Sequence, residues 1–277
     1  MAPEIKTMFD REQLKTLEQL IRKVAQEELM PRFERVDMAE KADGSVLTEA
    51  DLATQQRLIT ELTQQWPAFE VLGEEMTEAQ QLDKLENPGE GLWLLDPLDG
   101  TANFASSIPY FAISAGLVQD GKLQAGIVYD PTRDECFSAL AGEGAWLNGK
   151  RLQVKPVVDE LSKTMAMVDM KRLPQAFIEH IAKGAPFRSQ RNYGSVALDW
   201  CWLAASRVQV YLHGGQRLWD FAAGSLVFRE AGGFGGVMKD YAGTPQTGWN
   251  LKPHIGMGAT SASHWQQWLA YINESLS

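Results

Sequence analysis

Two aspartates, Asp96 and Asp99, close an apolar run in the stretch GLWLLDPLDGTANF, residues 91–104. Carboxylates this close repel each other unless a cation joins them or one takes up a proton. Hard divalent cations such as Mg²⁺ prefer oxygen ligands and are often bridged by carboxylates. Pro97 lacks an N–H and holds its own φ, which suits a strand exit. In so tight a turn the Leu98 carbonyl can point the same way. The plainer alternative is a turn whose Asp99 caps a following helix. Gly100 and Thr101 add to the first reading. A helix starting at Thr101 presents outward amides at its N-terminus, a seat for phosphate, and Gly100 allows close approach. Metal-binding acids beside such a seat are what phosphoryl transfer requires.

Further acids lie nearby in the chain. LGEEM puts Glu74 and Glu75 at the end of the preceding strand, where a solvated acidic turn is the plain alternative. Thr48 and Asp51 form a capping box with Asp in place of the usual Glu, and Leu47 and Leu52 are placed for the accompanying staple. That role explains Asp51 by itself. Asp220, in LWDFAAG, precedes a helix running to Gly232. A helix cap accounts for it, but apolar residues on both sides point to a partly buried carboxylate in need of a partner.

The elements that must position these acids follow from periodicity. Leu14, Leu17, Ile21, Val24 and Leu29 have helical spacing, predicting an amphipathic helix over 10–34 that ends near Pro31. A second helix follows Thr48. FEVLGEE reads as a short strand, and the polar residues 76–90 as a mobile loop. YFAISAGLVQDGKLQAGIVYDP reads as two strands joined at Asp120–Gly121, and ECFSALAGEGAWLNGKRLQV as short strands with Gly turns. The first half is thus α+β with a mainly antiparallel sheet. In the second half strands (TMAMVDM, RVQVYLH, HIGMGA) alternate with helices (PQAFIEHIAK, GSVALDWCWLAAS, WDFAAGSLVFREAGG, and SASHWQQWLAYINESL capped by Ser261 or Ser263), an α/β pattern. A boundary near 153–163, around Pro156, divides the chain into an N-terminal unit, 1–155, with the metal and phosphate site. A C-terminal unit, 156–277, carries the substrate wall and the last metal ligand.

The chain of 277 residues is long enough for one large domain or two joined subdomains. Its formal net charge of −10 argues against a generic nucleic-acid binder and against an anionic membrane surface as partner. No run approaches the ~18 apolar residues of a membrane span, and the first residues lack the pattern of a signal peptide. Cys136 and Cys201 make no CxxC motif and no disulfide framework, so buried free thiols in a reducing cytoplasm are expected.

Together, these pieces resemble the inositol monophosphatase family of metal-dependent, lithium-sensitive phosphatases. WLLDPLDGTANF looks like its first signature and LWDFAAGSLVFREAGG like its second, with GEE and DGSVLTEAD upstream in the expected order; the resemblance runs from about Lys41 to Gly233. It implies an αβαβα layered sandwich of the inositol monophosphatase / fructose-1,6-bisphosphatase type, mixing α+β and α/β. It implies two or three Mg²⁺ ions. Glu74, Asp96 and the Leu98 carbonyl would hold the first, with Thr101 close by. Asp96, Asp99 and Asp220 would hold the second, and Glu74 would touch a third through water. The amides of Gly100 and Thr101 would hold the phosphate. Asp51 would bond the Thr101 hydroxyl, which helps to activate the attacking water, so that Glu74, Thr101 and Asp51 carry the catalysis. The implied nucleophile is water, with no need for Ser195 or Cys201.

The resemblance further implies a homodimer and a small phosphorylated substrate, a polyol or sugar phosphate such as myo-inositol 1-phosphate. The alternatives are 3'-phosphoadenosine 5'-phosphate, fructose 1,6-bisphosphate or histidinol phosphate. A protein-binding regulator retaining the fold is a further alternative, since some bacterial relatives are thought to act through the transcription machinery. The substrate wall would fall around Gly194, Ser195, His213 and Asp220. Here the chain departs from inositol-phosphate members, which carry a glutamate seven residues before the second-signature aspartate. A neutral imidazole at His213 bonds one hydroxyl, a protonated one draws a second anion, and a histidine exposed on a loop does neither. Arg172, Arg191 and Arg217 are compatible with a substrate bearing two phosphates or a nucleotide, and equally with surface charge.

Overall fold

The computed structural model describes residues 9–33, 39–40, 46–155 and 159–276. The proposed boundary at Pro156 lies outside these residues. Asp10 opens α1 (Arg11–Val24) with a capping box closed by Gln13. The helix continues as a π-helical turn, Ala25–Leu29, and a 3₁₀ turn, Met30–Arg32, so the predicted helix stops where Pro31 removes a donor. A two-stranded ribbon, β1 (Ala39–Glu40) and β2 (Val46–Leu47), leads to α2 (Glu49–Gln65). The expected Leu47–Leu52 staple is not a buried one, because Leu52 remains 49% exposed.

Seven strands form the first sheet: β3 (Phe69–Gly73), β4 (Gly91–Asp99), β5 (Ala112–Gln119), β6 (Lys122–Asp130), β7 (Glu135–Leu140), β8 (Gly144–Leu147) and β9 (Lys150–Leu152), in sequence order. Only β3 and β4 pair in parallel; the rest are antiparallel. Asp120 and Gly121 both take positive φ (49° and 72°), the left-handed pair that a two-residue hairpin requires. Leu92 and Leu94 of β4 face one apolar cluster, Trp93 and Leu95 another. The strand is buried on both faces and reads as a continuous apolar run.

Residues 78–86 are helical, α3 (Glu78–Glu86), correcting the loop expected there. Thr77 and Gln80 close a capping box, a local signal that the polar composition hid.

The short α4 (Thr101–Ala105) is capped by Gly100, at φ 98°, and not by Asp99. The second sheet has the order β11 (Ser189–Arg191), β10 (Met165–Asp169), β12 (Val210–Gln216), β14 (His254–Ala259), β13 (Phe234–Met238). Between the sheets lie α6 (Val196–Ala204) and α7 (Leu218–Glu230); α5 (Gln175–Lys183) and α8 (Ala262–Leu276) cover the far face. Ser261 caps α8 through the His264 amide. The order of layers is therefore α1/α2, sheet, α6/α7, sheet, α5/α8.

Helix α7 lies directly on strand backbone. A Cβ at Gly116 would come within 3.0 Å of Ala222, and one at Gly126 within 2.9 Å of Ala223; on the opposite face, one at Gly224 would come within 2.8 Å of Trp200. Small residues on both faces let the helix sit close to both neighbours. Both cysteines are buried and free. No helix among the described residues is long and apolar enough to cross a membrane.

Candidate active site

The parallel pairing of β3 and β4 sets Gly73 opposite Leu95, so Glu74 and Asp96 are the next residues at the same strand ends. The Glu74 N–H donates to the Leu95 carbonyl at 3.0 Å. Asp96 pairs with Ser114 of β5, whose hydroxyl donates to the Trp219 carbonyl at 3.1 Å. That bond brings the start of α7 over the strand ends and delivers Asp220. One ligand atom each from Glu74, Asp96 and Asp220 all lie within 4.8 Å of one another. The Arg217 N–H donates to Asp220 Oδ2 at 2.8 Å, so this aspartate also caps its helix.

Burial pushes the Asp96 and Asp220 carboxyls well above the ordinary carboxylate range, and the neighbouring acids Glu74 and Asp99 push them further. Three acids gathered in a largely buried place, with no Lys or Arg ion pair on Asp96 or Asp220 within 4.0 Å among the described residues, make an all-oxygen donor set that fits a hard divalent cation.

Asp99 stands apart from the tight group. The chain bulges between Asp96 and Asp99, and Asp99 Oδ2 accepts from Ser195 Oγ and the Ala197 N–H, both at 2.6 Å, at the start of α6. Burial raises its carboxyl to about 6.

Asp51 is 1% exposed. It accepts from the Thr48 amide (2.7 Å) and hydroxyl (2.6 Å), and its Oδ1 lies 3.0 Å from Thr101 Oγ1. The capping box and the link to Thr101 therefore coexist. Thr101 Oγ1 is also 3.0 Å from the Leu98 carbonyl. Gly100, Thr101 and Ala102 line a cavity of about 710 Å³, together with Glu74, Asp96, Leu98, Asp99, Gly194, Ser195, His213 and Asp220.

Of the expected metal, phosphate, catalytic and substrate-wall residues, all but Asp51, which bonds Thr101, line that cavity. Arg172 and Arg217 line it as well; Arg191 does not, and instead bonds Ser189 and the Gln190 carbonyl. His213 is not a loop residue: it lies in β12 and is 6% exposed.

Three residues escaped the sequence reading. Gln81, on the unforeseen α3, donates to the Gly73 and Glu74 carbonyls (3.1 and 3.0 Å) and steadies the Glu74 turn. Asn103 Nδ2 bonds the Tyr110 and Tyr193 carbonyls (2.8 and 2.6 Å), tying α4 to the Gly194 wall. Asp199, 2% exposed, pairs with Tyr110 at 3.0 Å. Its signal, an acid flanked by apolar residues in VALDWCW, was the one that marked Asp220.

A family model of the inositol monophosphatase family matches residues 10–276. The chain belongs to the inositol monophosphatase family. A relative from Vibrio cholerae, Nus factor SuhB, is 34% identical over 214 residues, 76% of this chain and 77% of that protein. An IMPase structure from Thermotoga maritima is 29% identical, with a TM-score of 0.79, covering 96% of this chain and 98% of the other. SaIMPase-II with inositol monophosphate bound is 25% identical, with a TM-score of 0.73 over 94% of this chain and 93% of the other. The αβαβα arrangement of this chain is that of the family, and the match extends beyond the two signatures to the terminal helices.

Proposed function

We propose that this inositol monophosphatase family member is a Mg²⁺-dependent phosphomonoesterase that hydrolyses a small polyol or sugar phosphate with water as nucleophile. The observation that carries the reading is the convergence of Glu74, Asp96 and Asp220 within 4.8 Å beside a Thr101 hydroxyl held by Asp51. Glu74, Asp96, Asp220 and, in the family pattern, Asp99 and the Leu98 carbonyl would hold Mg²⁺, which would supply positive charge at the phosphoryl oxygens and lower the pKa of water. The chain's own part is positioning. Gly100 and Thr101 seat the phosphate at the start of α4. Asp51, by accepting from Thr101, leaves the threonine oxygen as an acceptor that orients the water for in-line attack. Asp220, on the leaving-group side, places a water that returns a proton to the departing alkoxide. The partial burial of these groups strengthens each of these contacts.

Phosphate release from a panel of small phosphomonoesters, with Mg²⁺, with EDTA and with Li⁺, tests the reading. Turnover that EDTA abolishes and Li⁺ inhibits is expected. No turnover of any ester at saturating Mg²⁺ removes it. Thr101→Val tests the positioning step. It keeps the shape of the side chain and deletes the oxygen, so kcat is expected to fall by about 10–100-fold, the scale for loss of an orienting contact, with the melting midpoint shifted by only a few degrees. Unchanged kcat takes Thr101 out of the reaction.

A second reading, a protein-binding regulator that keeps the fold, is supported by the name Nus factor carried by the Vibrio relative. Pull-downs from lysate with the wild type and Asp96→Asn separate the two. The same partner captured by both variants favours regulation independent of catalysis.

A further inference from the structure

Another part of the cavity lining has a different chemistry, built around His213. The parallel pairing of β10 and β12 sets Asp169 opposite His213. Asp169 Oδ2 lies 3.2 Å from His213 Nε2, and the Gly215 N–H donates to His213 Nδ1 at 3.2 Å. Nδ1 accepts, so Nε2 carries the proton and donates to Asp169. Both ring nitrogens are thereby used within the protein, and the imidazole keeps no acceptor for a substrate hydroxyl. Asp169 is turned inward too: its Oδ1 accepts from the Lys171 N–H at 2.7 Å. The hydrogen bond from His213 holds its carboxyl below the ordinary range.

Asp169 also lines the cavity, with both oxygens engaged, and the groups left to meet a ligand here are cationic. Lys171 and Arg172 are exposed and line it, and Arg217 is fixed beside them by a 3.0 Å bond from Nη1 to the Leu251 carbonyl. Neither the Lys171 ammonium nor the Arg172 guanidinium makes a hydrogen bond or an ion pair within 4.0 Å among the described residues. Their position is built into the strand. The β12 register shifts between His213 and Gln216. A Cβ on Gly214 would meet the Arg172 carbonyl oxygen at 2.0 Å, and one on Gly215 would meet Arg172 Cδ at 2.9 Å. Only this glycine pair lets the 170–172 turn lie against the strand and hold both cations at the rim.

We propose that Lys171, Arg172 and Arg217 form a second anion subsite, so that the preferred substrates are phosphomonoesters that carry a second phosphate. The proposal rests on the phosphatase reading above. Cations in the same cavity as an acid cluster suited to a divalent cation would let a ligand bind one phosphate at each, and charge-assisted bonds to a guanidinium would supply the preference.

The test compares matched pairs, fructose 1,6-bisphosphate with fructose 1-phosphate and 3'-phosphoadenosine 5'-phosphate with 3'-AMP, under saturating Mg²⁺. We expect kcat/KM for each bisphosphate to exceed its partner by about tenfold or more, an advantage that shrinks with salt. Lys171→Gln/Arg172→Gln, which keeps the aliphatic stems, is expected to raise KM for the bisphosphates about tenfold. It should leave their kcat within about twofold and kcat/KM for the monophosphates unchanged. Parity within the pairs, or equal losses on both members, overturns the proposal. If no ester is turned over, the phosphatase reading falls, and calorimetric titration of the same pairs decides the rim. Tighter binding of the bisphosphate that is lost in the double variant supports it; equal or absent binding overturns it. Lys171→Gln alone repeats the comparison should the double variant fail to fold.

Discussion

Asp96→Asn is expected to lower kcat at least about 10³-fold and, in the same protein treated with EDTA, to raise the midpoint of thermal unfolding. The two effects have one origin. Asp96 is 1% exposed and shares its surroundings with Glu74, Asp99 and Asp220. Burying a carboxylate among others costs several kcal/mol unless a cation compensates. The amide keeps the shape and the Oδ1 that accepts the Leu98 N–H at 2.9 Å, but removes the charge. Function loses a bridging ligand, while the metal-free fold loses a repulsion, an exchange typical of active sites. A gain on the order of 1 kcal/mol moves the midpoint by about 2–4 °C at this chain length. Phosphate assays beside calorimetric melts check both. Near-normal turnover would take Asp96 out of the centre, and a lowered midpoint in EDTA would show that its hydrogen bonding outweighs its repulsion.

The second large effect is the pH dependence of the metal-free protein. The carboxyls of Asp99 (raised to about 6), Asp96 and Asp220 titrate higher in the folded chain than the 3.8 of a free aspartate, in each case first because of burial. Between those values the native state binds more protons than the unfolded one, so stability falls as pH rises. The contribution is complete below about pH 4 and is lost as pH climbs through the folded pKa values. His254, whose pKa burial lowers, works the other way, losing stability as pH falls below about 6.5. Asp51 and Asp199, whose carboxyls burial also raises, add to the three, and of these groups His254 alone opposes them in this range.

On the proposed function, Mg²⁺ takes the place of the protons, and a ligand that binds only the native state stabilises it by RT ln(1 + L/Kd) at free ligand concentration L. The EDTA-treated protein should therefore melt several degrees lower at about pH 8 than at about pH 5, and the rise on adding Mg²⁺ should be larger at the higher pH. Differential scanning calorimetry at the two pH values measures this. A Mg²⁺ gain equal at both would mean that these acids are not where the cation binds.

Much of the centre was readable because its signals are local. Asp96 and Asp99 stand three residues apart on a strand exit, Gly100 opens a helix start, and Thr48 and Asp51 spell their own capping box. Asp220 announced itself by its apolar flanks. The layer order came from resemblance, since periodicity predicts strands and helices but not which faces meet. Three features were out of reach for specific reasons. The His213–Asp169 pair depends on the register of two parallel strands 44 residues apart in sequence. The turn of Asp99 toward Ser195 and Ala197 depends on where α6 docks. Gln81 sits on a helix whose composition resembles a loop, and only the Thr77–Gln80 spacing marks it.

Helix α7, pressed between Gly116 and Gly126 on one face and Trp200 on the other, has a consequence for descent with modification. A larger side chain at Ala222, Ala223 or Gly224 would press the helix off its neighbours and shift Asp220 relative to Asp96. The Lys171 and Arg172 side chains, by contrast, are exposed at a strand end, where exchanging the charged group leaves the α7 packing untouched. A lineage built this way can change the rim of the cavity one residue at a time while keeping Glu74, Asp96 and Asp220 in place.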